Sequence, residues 1–420
     1  MSLSLRAPRG PLFLLLPWLA FAGAASAQSA PLNLAAAERL ALERDAGAAA
    51  YEAEAESYVD RAVAARQLPN PEARVGVVNV PVDSFSLRAD EMSMLEVGVM
   101  QKFTWDRAAQ GRRLDALSEA QRAQAAMRRR QVLRDVRTAW FEAAATRRTA
   151  DKVAEQRRWL EQMTAASRSM YASGESGQGA ILAARLEQAM LDEKALELRQ
   201  MEVERMAALQ RWLGPDAQAQ LELPRPAPPP PLATLESRLA AHPTHAGLEA
   251  QTAAAAAEVD MARAMSKPML GLDVGYGFRQ GEGMEGGARP DMLTAMVTFE
   301  LPIFPKNRQR RELAAARAMQ RSAELMAEDN RRMLAMSLRE AHAKATLASG
   351  MLALLEQTVL PTARAAADAA LADYRAGEGT LDAVIAASRA RLDAEIRQVR
   401  AQADLAVASA AIAALVGDEQ

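Results

Sequence analysis

A chain of 420 residues with 51 lysines and arginines against 53 acids has no charge excess with which to hold a polyanion, so no nucleic-acid partner is expected. Cysteine is absent and histidine occurs three times, which excludes structural disulfides, an acylated cysteine anchor and a Cys–His catalytic pair. Few aromatics and abundant alanine suit long helices packed closely side by side better than one thick core.

The first 27 residues read as a secretory signal, with Arg6 and Arg9 ahead of an apolar stretch over 12–22 and the small-residue site Ala25-Ser26-Ala27. No later run of about eighteen apolar residues occurs, so no membrane-spanning helix is expected. From residue 28 the pattern predicts helix over 34–68, ended by Pro69, then a strand at about 73–80 and a polar loop. The next strand, at about 94–104, sets Leu95, Val97, Val99 and Phe103 on one face and Glu96, Met100, Lys102 and Thr104 on the other. Helix follows from 107 to 171, a glycine break with a tip at 171–179, and helix again to 213. The stretch 224–231, PRPAPPPP, reads as a polyproline linker that holds two halves stiffly apart.

The second half, 232–420, repeats this order. Helix is predicted over 232–266, strands at about 269–279 and 292–302, a long helix to a second tip at 374–381, and a last helix to about 416. In the third strand Leu270, Leu272, Val274, Tyr276 and Phe278 alternate with Gly271, Asp273, Gly275, Gly277 and Arg279. In the fourth, Leu293, Ala295, Val297, Phe299 and Leu301 share one face. Matched residues drift in order: Glu52 with Glu249 and Pro71 with Pro268 at 197, Val99 with Val297 at 198, Arg112 with Arg311 at 199. The tips match at 203, Tyr171-x-x-Gly174-Glu175 against Tyr374-x-x-Gly377-Glu378. Leu334, Leu338, Ala341, Ala345, Ala348, Leu352, Leu355 and Val359 keep the alternating spacing of a coiled-coil seam, which Pro361 should bend or loosen.

In this order and duplication, with Trp105…Arg112-Arg113 and Pro302-Ile303-Phe304…Arg310-Arg311 at the strand-to-helix turns, the chain resembles the TolC-type outer-membrane efflux family. The resemblance implies a mainly α protomer with a transmembrane β part, in which each of three identical chains gives four strands to a twelve-stranded barrel continued by a coiled-coil α-barrel. It implies residence in the outer membrane of a Gram-negative bacterium, with the helices in the periplasm. It also implies work as a passive exit duct with a periplasmic adaptor (membrane fusion) protein and an inner-membrane pump. The run Ile303-Phe304-Pro305-Lys306-Asn307-Arg308 is similar to the branch that serves heavy-metal or cation efflux with RND pumps. One departure is plain: where the best-studied members carry an arginine and aspartates that latch the tunnel, this chain has Gly379, Ala383 and Ala386.

The expected site residues follow. Tyr171, Gly174, Glu175, Tyr374, Gly377, Glu378 and Asp382 form the periplasmic tips, the docking place for the adaptor. Phe103, Trp105, Tyr276 and Phe278 read as aromatic girdles at the membrane interfaces, or as sheet-core packing. Arg112 and Arg311 lie beside lipid phosphates or on a solvated helix start. His242 and His245 lack a third ligand, and Pro243 puts them at a helix start; no metal site, cofactor or catalytic set is expected. Met92, Met94, Met100, Met292 and Met296 point either to soft-metal handling or, more simply, to packing. Two rival readings remain at this level: a type I protein secretion duct, and a soluble periplasmic coiled-coil scaffold or adaptor.

Overall fold

A computed structural model of the chain describes residues 32–172, 178–215, 219–283 and 286–417. The expected signal peptide and the first tip's Gly174 and Glu175 lie outside the described residues. The first half holds α1 (Leu34–Arg44), α2 (Ala46–Ala65), β1 (Glu72–Val78), β2 (Met94–Phe103), α3 (Arg107–Ala172) and α4 (Gln178–Leu213). The second holds α5 (Leu232–Leu239), α6 (Pro243–Ala264), β3 (Met269–Arg279), β4 (Met292–Glu300), α7 (Gln309–Leu354), a π-helical turn (Leu355–Val359), α8 (Leu360–Ala376) and α9 (Leu381–Val416).

The four strands form one antiparallel sheet in the order β1-β2-β3-β4. Its central pair joins the repeats, with a ladder running from Met94 opposite Arg279 to Phe103 opposite Leu270. Loops close one end of the sheet, where the Arg279 and Arg289 guanidinium groups donate to the Glu91 and Asp90 carbonyls at 2.5 and 2.9 Å. Helices leave from the other end. At 66 residues, α3 spans about 100 Å. Its counterpart runs through α7, the π turn and α8.

Small side chains let these rods approach closely. Trp140 is fully buried at a waist where α1, α3, α4 and α9 meet, and its indole donates to the Glu222 carbonyl at 3.0 Å. The predicted seam is a core: Leu338, Ala341, Ala345, Ala348, Leu352 and Leu355 are buried against Leu405, Ala408 and Ile412, with Leu334 and Val359 at its margins. Among the described residues α9 alone is a helix long and apolar enough to cross a membrane. Half of that apolar stretch is buried inside the body, as a core helix requires.

Three expectations need correction. The helix predicted over 34–68 is two helices, because the Asp45 carboxylate turns aside to cap α2, accepting from the Ala48 N–H at 3.0 Å while pairing with Arg128 at 2.7 Å. That hydrogen bond to Arg128 holds the Asp45 carboxyl below its usual range. The helix predicted over 232–266 divides likewise, at the matched residue His242, whose Nδ1 accepts from the Thr244 N–H at 3.2 Å ahead of Pro243. The proline-rich stretch does not hold the halves apart. It lies along the body: Arg225 pairs with Glu356, the Gln402 amide donates to the Pro224 carbonyl at 2.8 Å, and His342 meets the Pro230 carbonyl at 3.0 Å. Pro361, expected to disturb its helix, follows the π turn, where the Leu360 N–H donates five residues back to Leu355.

His242 is 2% exposed and its Nε2 has no partner among the described residues, so burial, helped by nearby Arg130, lowers its pKa from 6.5 to about 4. The unfolded chain therefore takes up a proton near pH 6.5 that the folded chain refuses until about pH 4. Stability is full above pH 6.5 and falls as pH drops through that window, by up to about 3 kcal/mol. His242→Asn keeps a capping acceptor without the titration. Its melting temperature should fall less between pH 6.5 and 4 than that of the parent; parallel curves would clear His242 of any role in acid lability.

Candidate functional site: a two-faced sheet and a helical tip

Directly opposed residues of an antiparallel sheet share a face. The register therefore assigns Val75, Val97, Tyr276 and Leu293 to one face, with Val99, Val274 and Ala295, then Leu272 and Val297, then Phe103, Leu270 and Phe299. Gln101 is the polar exception. Along β3 this apolar face stands mostly in the open, while Asp273, Gly275 and Gly277 on the other face are buried. An exposed apolar band the length of the sheet is the reverse of a soluble protein's arrangement.

The aromatics sit at the two ends of that band. Phe103, Phe299 and Trp105 lie toward the helices, and the Trp105 indole donates to the Pro268 carbonyl at 2.7 Å, extending the row by one step. Tyr276 and Phe278 lie toward the loops, edge to face with ring centroids 4.7 Å apart. The hydroxyl of Tyr276 donates to Asp291 at 2.8 Å. The rows of Phe103 and Leu95 are separated by eight residues, about 26 Å of strand.

The opposite face carries Glu72, Arg74, Glu96, Lys102, Asp273, Arg279 and Glu300, four carboxylates against three cations. Arg74 Nη2 meets Glu96 Oε1 at 2.5 Å and stands 2.9 Å from Asp273 Oδ1, the second as a charge contact without hydrogen-bond alignment. Lys102 pairs with Glu72 at 2.5 Å. Met94, Met100, Met269, Met292 and Met296 share this face, and Met100 and Met296 flank Asp273 in one row. The alternation placed Glu96, Lys102 and Asp273 on the wet side, but it did not disclose that Arg74 ties two of the three strands' acids together.

The second tip is built from capping chemistry. Gly377 ends α8 at φ +80°, and the amides of Glu378 and Gly379 both donate to the Asp373 carbonyl, at 2.9 and 3.0 Å. Thr380 then caps α9 through the Ala383 N–H. Glu378 and Asp382 are exposed, as are Ala383 and Ala386, while Gly379 is half-buried. Tyr374 is turned inward instead: it packs with Leu160, Leu381 and Ile385, its hydroxyl 3.4 Å from Ser167 Oγ of α3. Tyr171 lies in the last turn of α3. Just behind the tips the Arg389 guanidinium holds the buried Glu187 carboxylate of α4, a tie that sequence reasoning missed because its partners are 202 residues apart.

The rim cations divide unevenly. Arg112 pairs with Asp260 at 3.0 Å and its neighbour Arg113 with Glu258 at 2.6 Å, so Arg112 is no free headgroup ligand. Arg311 makes no ion pair among the described residues.

Residues 234–418 match the model of the family described as outer membrane efflux protein. Solved structures extend the likeness to nearly the whole chain. The outer membrane protein VceC of Vibrio cholerae is 18% identical, with a TM-score of 0.76 over 91% of this chain and 96% of its own. The CmeC outer membrane channel of Campylobacter jejuni is 13% identical at 0.75, covering 91% and 85%. The open-state MtrE outer membrane channel of Neisseria gonorrhoeae is 16% identical at 0.74, covering 91% and 88%. No curated protein sequence matches. A duplicated helix–strand–strand–helix protomer with one bare apolar sheet face defines the class: the fold is that of the outer-membrane channels. Over its second half the chain is similar to the outer membrane efflux protein family, and over nearly its whole length it shares the fold of those channels.

Removing Arg74 leaves Glu96 and Asp273, the latter 5% exposed, with no cation between them. Arg74→Met should destabilise the sheet by about 1–3 kcal/mol, discounted for the arginine's own exposure. Adding Asp273→Asn should restore most of the loss. Heat-induced unfolding of the β part followed on gels measures both; equal loss in the double variant would dissolve the proposed charge triad.

Proposed function

We propose that three copies of this chain close into a barrel in the outer membrane and form the passive exit duct of a tripartite efflux system. The observation that carries the reading is the bare apolar face of the sheet, bounded by aromatics about 26 Å apart, which matches the lipid-facing band of a transmembrane barrel. Four strands leave β1 and β4 each with an open edge, and an edge in lipid costs several kcal/mol for every unpaired group. Further copies of the chain remove those edges. The charged face then lines the bore and the helices reach about 100 Å into the periplasm.

On this reading the tips, with Glu378 and Asp382 exposed, dock a periplasmic adaptor fed by an inner-membrane pump of the RND type. The cargo is cationic, metal ions or drugs: the bore-facing surface has more carboxylates than cations, and its methionines give soft or apolar contacts without fixed charge. The amino-terminal segment serves as the export signal.

Two measurements test the reading. Val297→Arg sets a charge toward lipid at a cost of about 2–4 kcal/mol, whereas the adjacent Thr298→Arg points into the bore. The first should fail to accumulate as a trimer in outer-membrane fractions and the second should accumulate normally; equal recovery of both would refute the barrel orientation. At the tip, Gly377→Val meets no neighbour but forces a β-branched residue to φ +80°. The variant should reach the outer membrane in normal amount, lose cross-linking to its adaptor and stop export. Normal export by Gly377→Val would remove the tip from docking.

A further inference from the structure

We propose that the turn between β4 and α7 binds the phosphate of an anionic phospholipid, with the lipid's acyl chain lying in the groove beside Trp105. The proposal rests on the membrane reading above. A cleft of about 480 Å³ opens where the sheet meets the helices, lined among others by Trp105, Met265, Lys267, Leu301, Ile303 and Phe304. Trp105, Ile303 and Phe304 are 55%, 70% and 86% exposed, a concentration of apolar surface without cover in the chain. The groove continues the bare face of the sheet, because Trp105 extends the Phe103–Leu270–Phe299 row through its bond to Pro268.

Lys267 and Arg308 line this groove, and further cations lie along the same turn and helix start. The Lys267 ammonium lies 5.9 Å from the Trp105 ring centroid, and Lys306, Arg308, Arg310 and Arg311 follow on the turn and the start of α7. All five are exposed, and none makes an ion pair among the described residues. The acids nearby are Asp106, Glu300 and Glu312, and none of them takes up one of these cations. Arginines at a helix start oppose the helix dipole, a cost that a bound anion reverses. A basic pocket beside an apolar groove at the membrane boundary is the chemistry that holds an acidic lipid headgroup.

The repeat sharpens the assignment. At the matched turn of the first half, Asp260 and Glu258 of α6 neutralise Arg112 and Arg113. Taken back through the offset of 197, those two acids correspond to Val63 and Arg61 of α2. A second copy that packs its α2 on α7 as α6 packs on α3 therefore sets Val63 across from Arg311, where Asp260 holds Arg112, while Arg61 stands across from Glu312, the match of Arg113. The place across from Arg311 thus lacks the acid that holds Arg112, and the phosphate fills it.

Native mass spectrometry of the detergent-purified trimer tests this, with dioleoylphosphatidylglycerol, dioleoylphosphatidylcholine or inorganic phosphate added in turn. The trimer should retain up to three phosphatidylglycerol molecules in preference to phosphatidylcholine. Arg308→Gln/Arg311→Gln and, separately, Lys267→Gln should weaken that retention, the double variant on the order of ten-fold or more. Arg112→Gln, whose parent residue is held by Asp260, should change it less than about two-fold. Equal retention of both lipids, unchanged retention in the double variant, or displacement of phosphatidylglycerol by inorganic phosphate would each overturn the lipid site. The same spectrum reads the oligomer: a trimer without lipid preference overturns this site alone, and a monomer overturns the channel reading with it.

Discussion

The register between β2 and β3 is the constraint on which the rest of the molecule depends. Ten opposed pairs join a strand from each half of the chain, and they decide at once which residues share a face across all four strands. A slip of one residue would turn Val97 and Val99 to the side of Asp273 and expose Glu96 where Tyr276 now stands. Glycines on one face enforce the observed choice. A side chain at Gly98 would come within 2.8 Å of Arg74 Nε, and one at Gly275 within 2.5 Å of Glu96 Oε1, so the long polar chains lie over strands that have nothing of their own to offer there. Apolar residues fill the opposite face, which the described residues leave open.

Duplication explains how one chain supplies two similar rods, and the differences between the copies carry the specificity. Asp45 and His242 occupy matched places and cap the matched helices α2 and α6, yet one is held by Arg128 and the other is buried with no partner for Nε2 among the described residues. The two strand-to-helix turns share an aromatic and paired arginines. Among the described residues only the first has acids paired with its arginines. The family match covers the second half, and that half holds the described tip, the open cationic rim and the seam that binds α7 to α9.

Much of this was legible in the sequence because the signals are local. Alternation of period two over Leu270–Phe278 specifies a strand and its faces without any knowledge of neighbours, and the three-and-four spacing over Leu334–Val359 specifies a seam. Gly377 announces a left-handed cap by being glycine at a helix end. What escaped reading depends on contacts made far along the chain. Asp45 sits in a run of helix formers, between Leu42-Glu43-Arg44 and the alanines of α2, and only Arg128, 83 residues on, shows why the helix breaks there. The inward turn of Tyr374 requires Ser167, and the loss of Arg112 to Asp260 requires α6 to lie against α3. The polyproline stretch has the composition of a spacer, and its role as a strap is set by Glu356, Gln402 and His342 beneath it.

The glycine rows of the charged face bear on aperture. With strand number fixed, the clear width of a closed barrel is governed by how far its inward side chains stand up from the wall. Arg74, Glu96 and Met94 recline over Gly98, Gly275 and Gly277, so they occupy wall rather than opening. In the barrel proposed above, that posture would keep the passage wide and leave its charge in place along the sides. Such a conduit owes its calibre to absent side chains, and it could be narrowed from within without altering a strand, a turn or a single residue that touches lipid.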